Sequence, residues 1–112
     1  MRNEDQLLKG ALDIALLAAI RRDESYGYEL VQRIREAGLD RVAEASVYGT
    51  LRRLETQGLV RSKLVASKQG PARRYYDLTA DGRRAFDQMV TSWTEITKAV
   101  DALIDASWEW QK

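Results

Sequence analysis

The sequence predicts a mainly α fold with a minor β component: three helices, a two-stranded hairpin and one long last helix. Three observations carry that prediction. Apolar residues recur at helical spacing in four stretches, a short tract before the last of them is broken by turn residues around Gly70 and Pro71, and the final stretch keeps a regular three-then-four step. The chain has 112 residues, 45% of them hydrophobic and 31% charged, with one proline. That length and composition fit one globular domain over residues 1–112, which we divide into a unit over 6–78 and a terminal helix over 79–110.

In the first helix Leu7, Leu8, Ala11, Leu12, Ala15, Leu17 and Ala18 follow helical spacing, and every residue over 14–20 is apolar. Such a helix needs cover on more than one side. The polar stretch 21–26 leads through Ser25 into a short second helix striped by Leu30, Val31 and Ile34 and ended by Gly38. A third helix fits 45–57, with Val47, Leu51 and Leu54 facing inward, Ser46, Gly49, Thr50, Arg53 and Gln57 on the opposite face, and Gly58 as its stop. Strands over 59–66 and 73–78 follow, joined by Ser67, Lys68, Gln69, Gly70, Pro71 and Ala72, which is turn chemistry with basic flanks. Thr79 caps the last helix with Asp81 in its first turn. There Phe86, Met89, Trp93, Ile96, Val100 and Leu103 form a heptad seam. A helix from about residue 80 to 108 is roughly 40 Å long, whereas a domain of this size spans roughly 26 Å, so it projects and its seam calls for a partner.

The chain has neither cysteine nor histidine. This removes disulfides, thiolate catalysis, the commonest general base and the usual zinc ligands, and it leaves only oxygen-ligand metal binding open. We expect no enzyme, no cofactor and no metal site. Asp101 and Asp105 are an i, i+4 pair on a helix flank and read as solvated carboxylates. Residues 1–5 lack the pattern of a signal peptide, and the longest apolar run is far too short to span a bilayer, so we expect a cytoplasmic protein without membrane contact.

The net charge of +1 is unevenly placed. Residues 46–76 carry Arg52, Arg53, Arg61, Lys63, Lys68, Arg73 and Arg74 against the single Glu55, a net of +6. A block of that size is either a local phosphate-binding surface or a solvated face. Its position favours the former: three helices followed by a basic hairpin is the order of a winged helix-turn-helix, three helices plus a two-stranded β-wing, here followed by a long C-terminal dimerisation helix. The partner expected for such a fold is double-stranded DNA. Ser46, Tyr48, Gly49, Thr50 and Arg53 are expected to read the groove, small residues letting the backbone approach while Arg53 reaches guanine or phosphate. Lys68, Arg73 and Arg74 around Gly70 suit phosphate, or else guard strand edges. Tyr75 and Tyr76 alternate faces, one towards the core and the other towards DNA, in an order the sequence leaves open. Tyr26 and Tyr28 either give hydroxyls to phosphate at the second helix N-terminus or close the core. The rival reading is a winged-helix dimerisation or protein-interaction module without sequence-specific DNA binding.

Residues 26–30 (Tyr-Gly-Tyr-Glu-Leu), Ser46, Val47 and Tyr48 with residues 51–55 (Leu-Arg-Arg-Leu-Glu), residues 58–60 (Gly-Leu-Val), Gly70, residues 73–76 (Arg-Arg-Tyr-Tyr), Leu78, Thr79 and Gly82 together resemble the PadR family of bacterial transcriptional regulators. The likeness covers about residues 7–104, and the short tail resembles the family's small subgroup with a single C-terminal helix. It implies a homodimer that binds promoter inverted repeats and represses, joined through Phe86, Met89, Trp93, Ile96, Val100 and Leu103. It also implies a planar aromatic or cationic effector held between first and last helices at the dimer centre, with Trp93 stacking on it. Leu7, Gly10, Ile14, Leu17, Met89 and Ile96 would form the wall, and Asp13 would meet a cation. Trp93 reads equally as a plain interface anchor. One departure is Ala43, where relatives often place a capping asparagine or serine, a difference worth about 1 kcal/mol of helix stability. Trp108 and Trp110 receive no role.

Overall fold

A computed structural model describes residues 3–109. The chain runs α1 (Asn3–Arg22), β1 (Ser25–Tyr26), α2 (Gly27–Glu36), α3 (Glu44–Thr56), β2 (Val60–Ser67), β3 (Gly70–Leu78) and α4 (Ala80–Glu109). The sheet has three antiparallel strands in the order β1-β3-β2, not the expected two. β1 pairs Ser25 with Tyr76 and Tyr26 with Tyr75. Ser25 is therefore a buried strand residue rather than a helix lead-in. Its hydroxyl donates to the Asp23 carbonyl at 2.8 Å and accepts from Arg33 Nη1 at 2.5 Å. Tyr26 stands at the N-cap of α2, where Glu29 Oε1 accepts its backbone N–H at 3.2 Å.

Both short helices stop at the expected glycines, and by the same device. Gly38 and Gly58 take φ of +120° and +78°. In each case the following leucine N–H reaches back to the last turn, Leu39 to the Ile34 carbonyl at 3.2 Å and Leu59 to the Leu54 carbonyl at 2.9 Å. The hairpin is tighter than expected. Ser67 pairs with Gly70, so Lys68 and Gln69 alone form the loop while Gly70, Pro71 and Ala72 belong to β3. Proline is tolerated there because β1 meets β3 only at Tyr75 and Tyr76, leaving the edge near the tip open.

The core gathers Leu12, Leu16, Leu17 and Ile20 of α1, the stripe of α2, Val47, Leu51 and Leu54 of α3, and Val60, Tyr76 and Leu78 of the sheet. Leu17 is fully buried in it and so cannot line an exposed channel wall. The expected cover of α1 on more than one side is met in part: Leu12, Leu16, Leu17 and Ile20 are buried, whereas Ala18 is exposed. Leu7 is 75% exposed, because the helix runs beyond the body of the domain there.

α4 is joined to the end of α3. Thr79 N–H donates to the Leu59 carbonyl at 3.1 Å. The Thr79 hydroxyl donates to the Gly58 carbonyl at 2.6 Å and accepts Gly82 N–H at 2.9 Å, which is the expected cap. Gly82 lies against the Leu59 carbonyl, where a Cβ would collide. Phe86 and Met89 are half-buried against the chain's own core, with the Arg21 guanidinium 5.8 Å from the Phe86 ring centroid. Each therefore has one side on the chain's own core and keeps another side open. Beyond them Trp93, Ile96, Val100 and Leu103 are exposed, Leu103 at 71%. At 30 residues α4 is about 45 Å long, which accounts for the 62 Å long axis. Trp108 is exposed, and Trp110 lies outside the described residues. No described helix is long and apolar enough to cross a membrane.

Candidate nucleic-acid interface

α3 begins at Glu44 with Ala43 as its N-cap and no side-chain oxygen on its first amides, as the sequence implied. Ser46 is exposed and Gly49 and Thr50 are half-buried on the same outer face. The Thr50 hydroxyl donates to the Ser46 carbonyl at 2.7 Å. Its proton is thus committed to the helix, and Thr50 presents its methyl group and an acceptor lone pair outward. Arg53 sits in the last turn, engaged by its own chain: Nη2 donates to Asp13 Oδ1 of α1 at 2.5 Å and Nη1 to Gln57 Oε1 at 3.5 Å. Hydrogen bonding to the Asp13 carboxylate, with its charge, raises the guanidinium pKa further above its ordinary value. Two residues expected in separate roles, Arg53 on DNA and Asp13 on an effector, are here each other's partners.

Next to this helix lies a hollow of about 180 Å³ lined by Tyr26, Gly27, Tyr28, Tyr48, Arg73, Arg74 and Tyr76. It brings together five of the side chains expected to meet DNA, from the start of α2, from α3 and from β3. Gly27 makes the convergence possible, since a Cβ there would stand 2.5 Å from the Tyr48 ring. The Arg73 guanidinium lies 4.5 Å from the Tyr26 ring centroid, and Tyr75 meets that ring edge-on at 5.6 Å. Arg74 Nη1 donates to Ser62 Oγ at 2.9 Å, and that hydroxyl donates to Glu55 Oε2 at 2.7 Å, tying the wing to α3. Tyr76 is buried in the core and also lines the hollow, whereas Tyr75 is half-buried on the other face beside Glu24, Arg61 and Lys63. Burial raises the Tyr76 pKa, and burial followed by the Glu44 charge raises that of Tyr48. Both phenols stay protonated, and so able to donate, at neutral pH.

The basic block is sorted by its partners. Arg61 pairs with Asp77 at 3.1 Å, Lys63 with Glu24 at 3.2 Å and Arg53 with Asp13. Arg52, Lys68, Arg73 and Arg74 have no carboxylate partner among the described residues, and all four are exposed. Lys68 and the positive-φ Gly70 mark the wing tip. Arg52 was missed by sequence reasoning although it lies in the charged block. Its guanidinium stands 4.0 Å from where a Gly49 Cβ would be, beside the outer face of α3. Of the expected effector wall, Leu7, Gly10, Trp93 and Ile96 are exposed and Ile14 and Met89 half-buried, while Leu17 is in the core.

Helix, short strand, two helices and a wing, with tyrosines and arginines gathered between α3 and the wing, define the class of winged-helix proteins. Within that class the sequence matches the transcriptional regulator PadR-like family over residues 16–88. The chain belongs to this family and is a transcriptional regulator of the PadR type, a family of non-enzymatic DNA-binding proteins that commonly form dimers. It is similar to the crystal structure of a PadR-like transcriptional regulator from Bacillus cereus, with 35% identity, a TM-score of 0.80, and coverage of 88% of this chain and 96% of that one. It is also similar to a Streptococcus transcriptional regulator, with 36% identity, a TM-score of 0.78 and the same coverage of both chains. An uncharacterised protein of Lysinibacillus sphaericus is 28% identical over 101 residues, covering 88% of this chain and 93% of that protein.

Proposed function

We propose that this chain binds a promoter inverted repeat as a homodimer and represses transcription in the bacterial cytoplasm. Residues 6–78 form the reading unit and 79–110 the dimerisation helix, the arrangement of the family's small subgroup. The observation that carries the reading is the tyrosine and arginine hollow between α3 and the wing. Arginines and phenolic hydroxyls are suited to phosphate, and they flank the small outer face of Ser46, Gly49 and Thr50 that admits base edges. Tyr26, Tyr28, Tyr48, Arg73 and Arg74 hold the backbone beside the groove, Tyr75 supports them through Tyr26, and Lys68 and Gly70 reach the adjoining backbone from the wing tip. Trp93, Ile96, Val100 and Leu103 meet the same residues of a second copy. With Leu7, Gly10, Ile14 and Met89, the paired Trp93 rings offer a stacking surface for a planar aromatic or cationic effector.

The test is fluorescence anisotropy of a labelled duplex from the gene's own upstream region against a scrambled duplex near physiological salt. Preference for the upstream duplex by a factor of about a thousand is expected of a sequence-specific regulator. Equal affinity would replace this reading with that of an interaction module. Titration of the complex with a planar cationic dye then separates the two roles of Trp93: quenched tryptophan emission with release of DNA marks an effector site, and unchanged emission marks a plain interface anchor.

A further inference from the structure

Arg53 is the only residue of α3 that an ion pair ties to α1 among the described residues. The two partners are 40 positions apart in sequence, and both remain accessible, with 48% of the Arg53 side chain and 29% of that of Asp13 exposed. An ion pair in contact with water is weak and exchangeable, because solvent replaces either partner at little cost. A phosphate oxygen offers the guanidinium the same charge-assisted bond that the Asp13 oxygen does.

From this we propose, on the reading that this chain binds DNA, that Asp13 is a positioning residue for that binding: it occupies Arg53 as an internal substitute for a phosphate. Asp13 holds the guanidinium on the α1 side of α3, with Gln57 completing the clasp. The neighbouring Arg52 has no carboxylate partner among the described residues and meets the backbone directly. When Arg53 moves to DNA it leaves a carboxylate that recruits a cation, while the phosphate it joins sheds one. The exchange is one for one, so in the wild type Arg53 contributes little net affinity and little salt dependence. Removing the Asp13 charge turns Arg53 into an additional phosphate contact.

The experiment is anisotropy titration of the upstream and scrambled duplexes at several KCl concentrations with the wild type, Asp13→Asn, Arg53→Gln and the double variant. Asparagine keeps an acceptor in place, and thermal melts check that each variant is folded. Asp13→Asn is expected to bind both duplexes about three- to tenfold more tightly, with the slope of log affinity against log salt steeper by about 0.9, the value of one phosphate contact. Arg53→Gln is expected to cost less affinity in the wild type than in the Asp13→Asn background, where it abolishes the whole gain. An unchanged slope in Asp13→Asn, weaker binding by that variant, or an equal cost of Arg53→Gln in both backgrounds overturns the proposal. So does a loss of melting temperature in both single variants with no change of slope, the mark of a purely structural clasp. A wild type that does not distinguish the duplexes overturns the sequence-specific reading alone, because counterion release needs no particular sequence and the slope comparison still holds.

Discussion

At Gly82 a side chain would collide with the Leu59 carbonyl, a backbone atom that cannot turn aside. Gly82→Ala is therefore expected to cost about 3 kcal/mol through displacement of α4 from the end of α3, read as a fall in the denaturant midpoint. This glycine was visible in the sequence, but its reason was not, since helix propensity alone makes glycine here look like a defect. Ser25 shows the same limit. Its hydroxyl looked like a helix cap because serine favours caps, yet Arg33 and the Asp23 carbonyl claim it inside a strand. Gly38 and Gly58 were legible because a helix stop is a local event, complete within six residues. The Asp13 and Arg53 pair was not, since no local pattern joins a helix to another 40 positions later.

Among the elements, α4 carries the clearest signal and the clearest ambiguity. Its three-then-four steps fixed the helix and the seam, but a heptad does not say whether the partner is the chain itself or a second copy. Phe86 and Met89 pack partly on the chain's own core, while Trp93, Ile96, Val100 and Leu103 are exposed in the single chain. Leu103→Glu, at an exposed position far from the chain's own core, is expected to weaken dimerisation about a hundredfold while helix content is kept, as checked by sedimentation and circular dichroism. An unaltered sedimentation profile would show that the seam has another use. β1 escaped notice because two residues have no period. The wing loop was drawn too wide because Gly70 and Pro71 carry turn chemistry even where, beyond the end of β1, they are strand.

For the whole molecule, charge and titration behave more simply than composition implies. Without histidine or cysteine no side chain of ordinary pKa changes charge between about pH 6 and 9, and burial moves the Tyr48 and Tyr76 phenols away from that window. Folding stability is expected to be flat across it. Above about pH 10 the unfolded tyrosines ionise first while the folded ones keep their protons, so these two groups' stabilising contribution is complete below the ordinary tyrosine value and lost as pH passes the raised folded value. Denaturant midpoints from pH 6 to 11 check this, and a transition near neutrality would contradict it. The +6 block was legible as a sum, but its division was not: three of its cations are neutralised across the sheet and against α1, and the remaining four face outward.

The attachment of α4 to the end of α3 has a mechanical meaning. Thr79 and Gly82 fasten the start of the long helix to Gly58 and Leu59, directly after α3 ends. α3 and α4 are therefore coupled as one rigid bracket, and in the proposed complex its short arm lies in the groove and its long arm in the seam. A tilt of about 10° at the far end of an arm about 45 Å long is a displacement of about 8 Å. Against the half-sites of the proposed complex, about 34 Å apart, that is more than two base-pair steps, enough to take the two α3 helices of such a dimer out of register together.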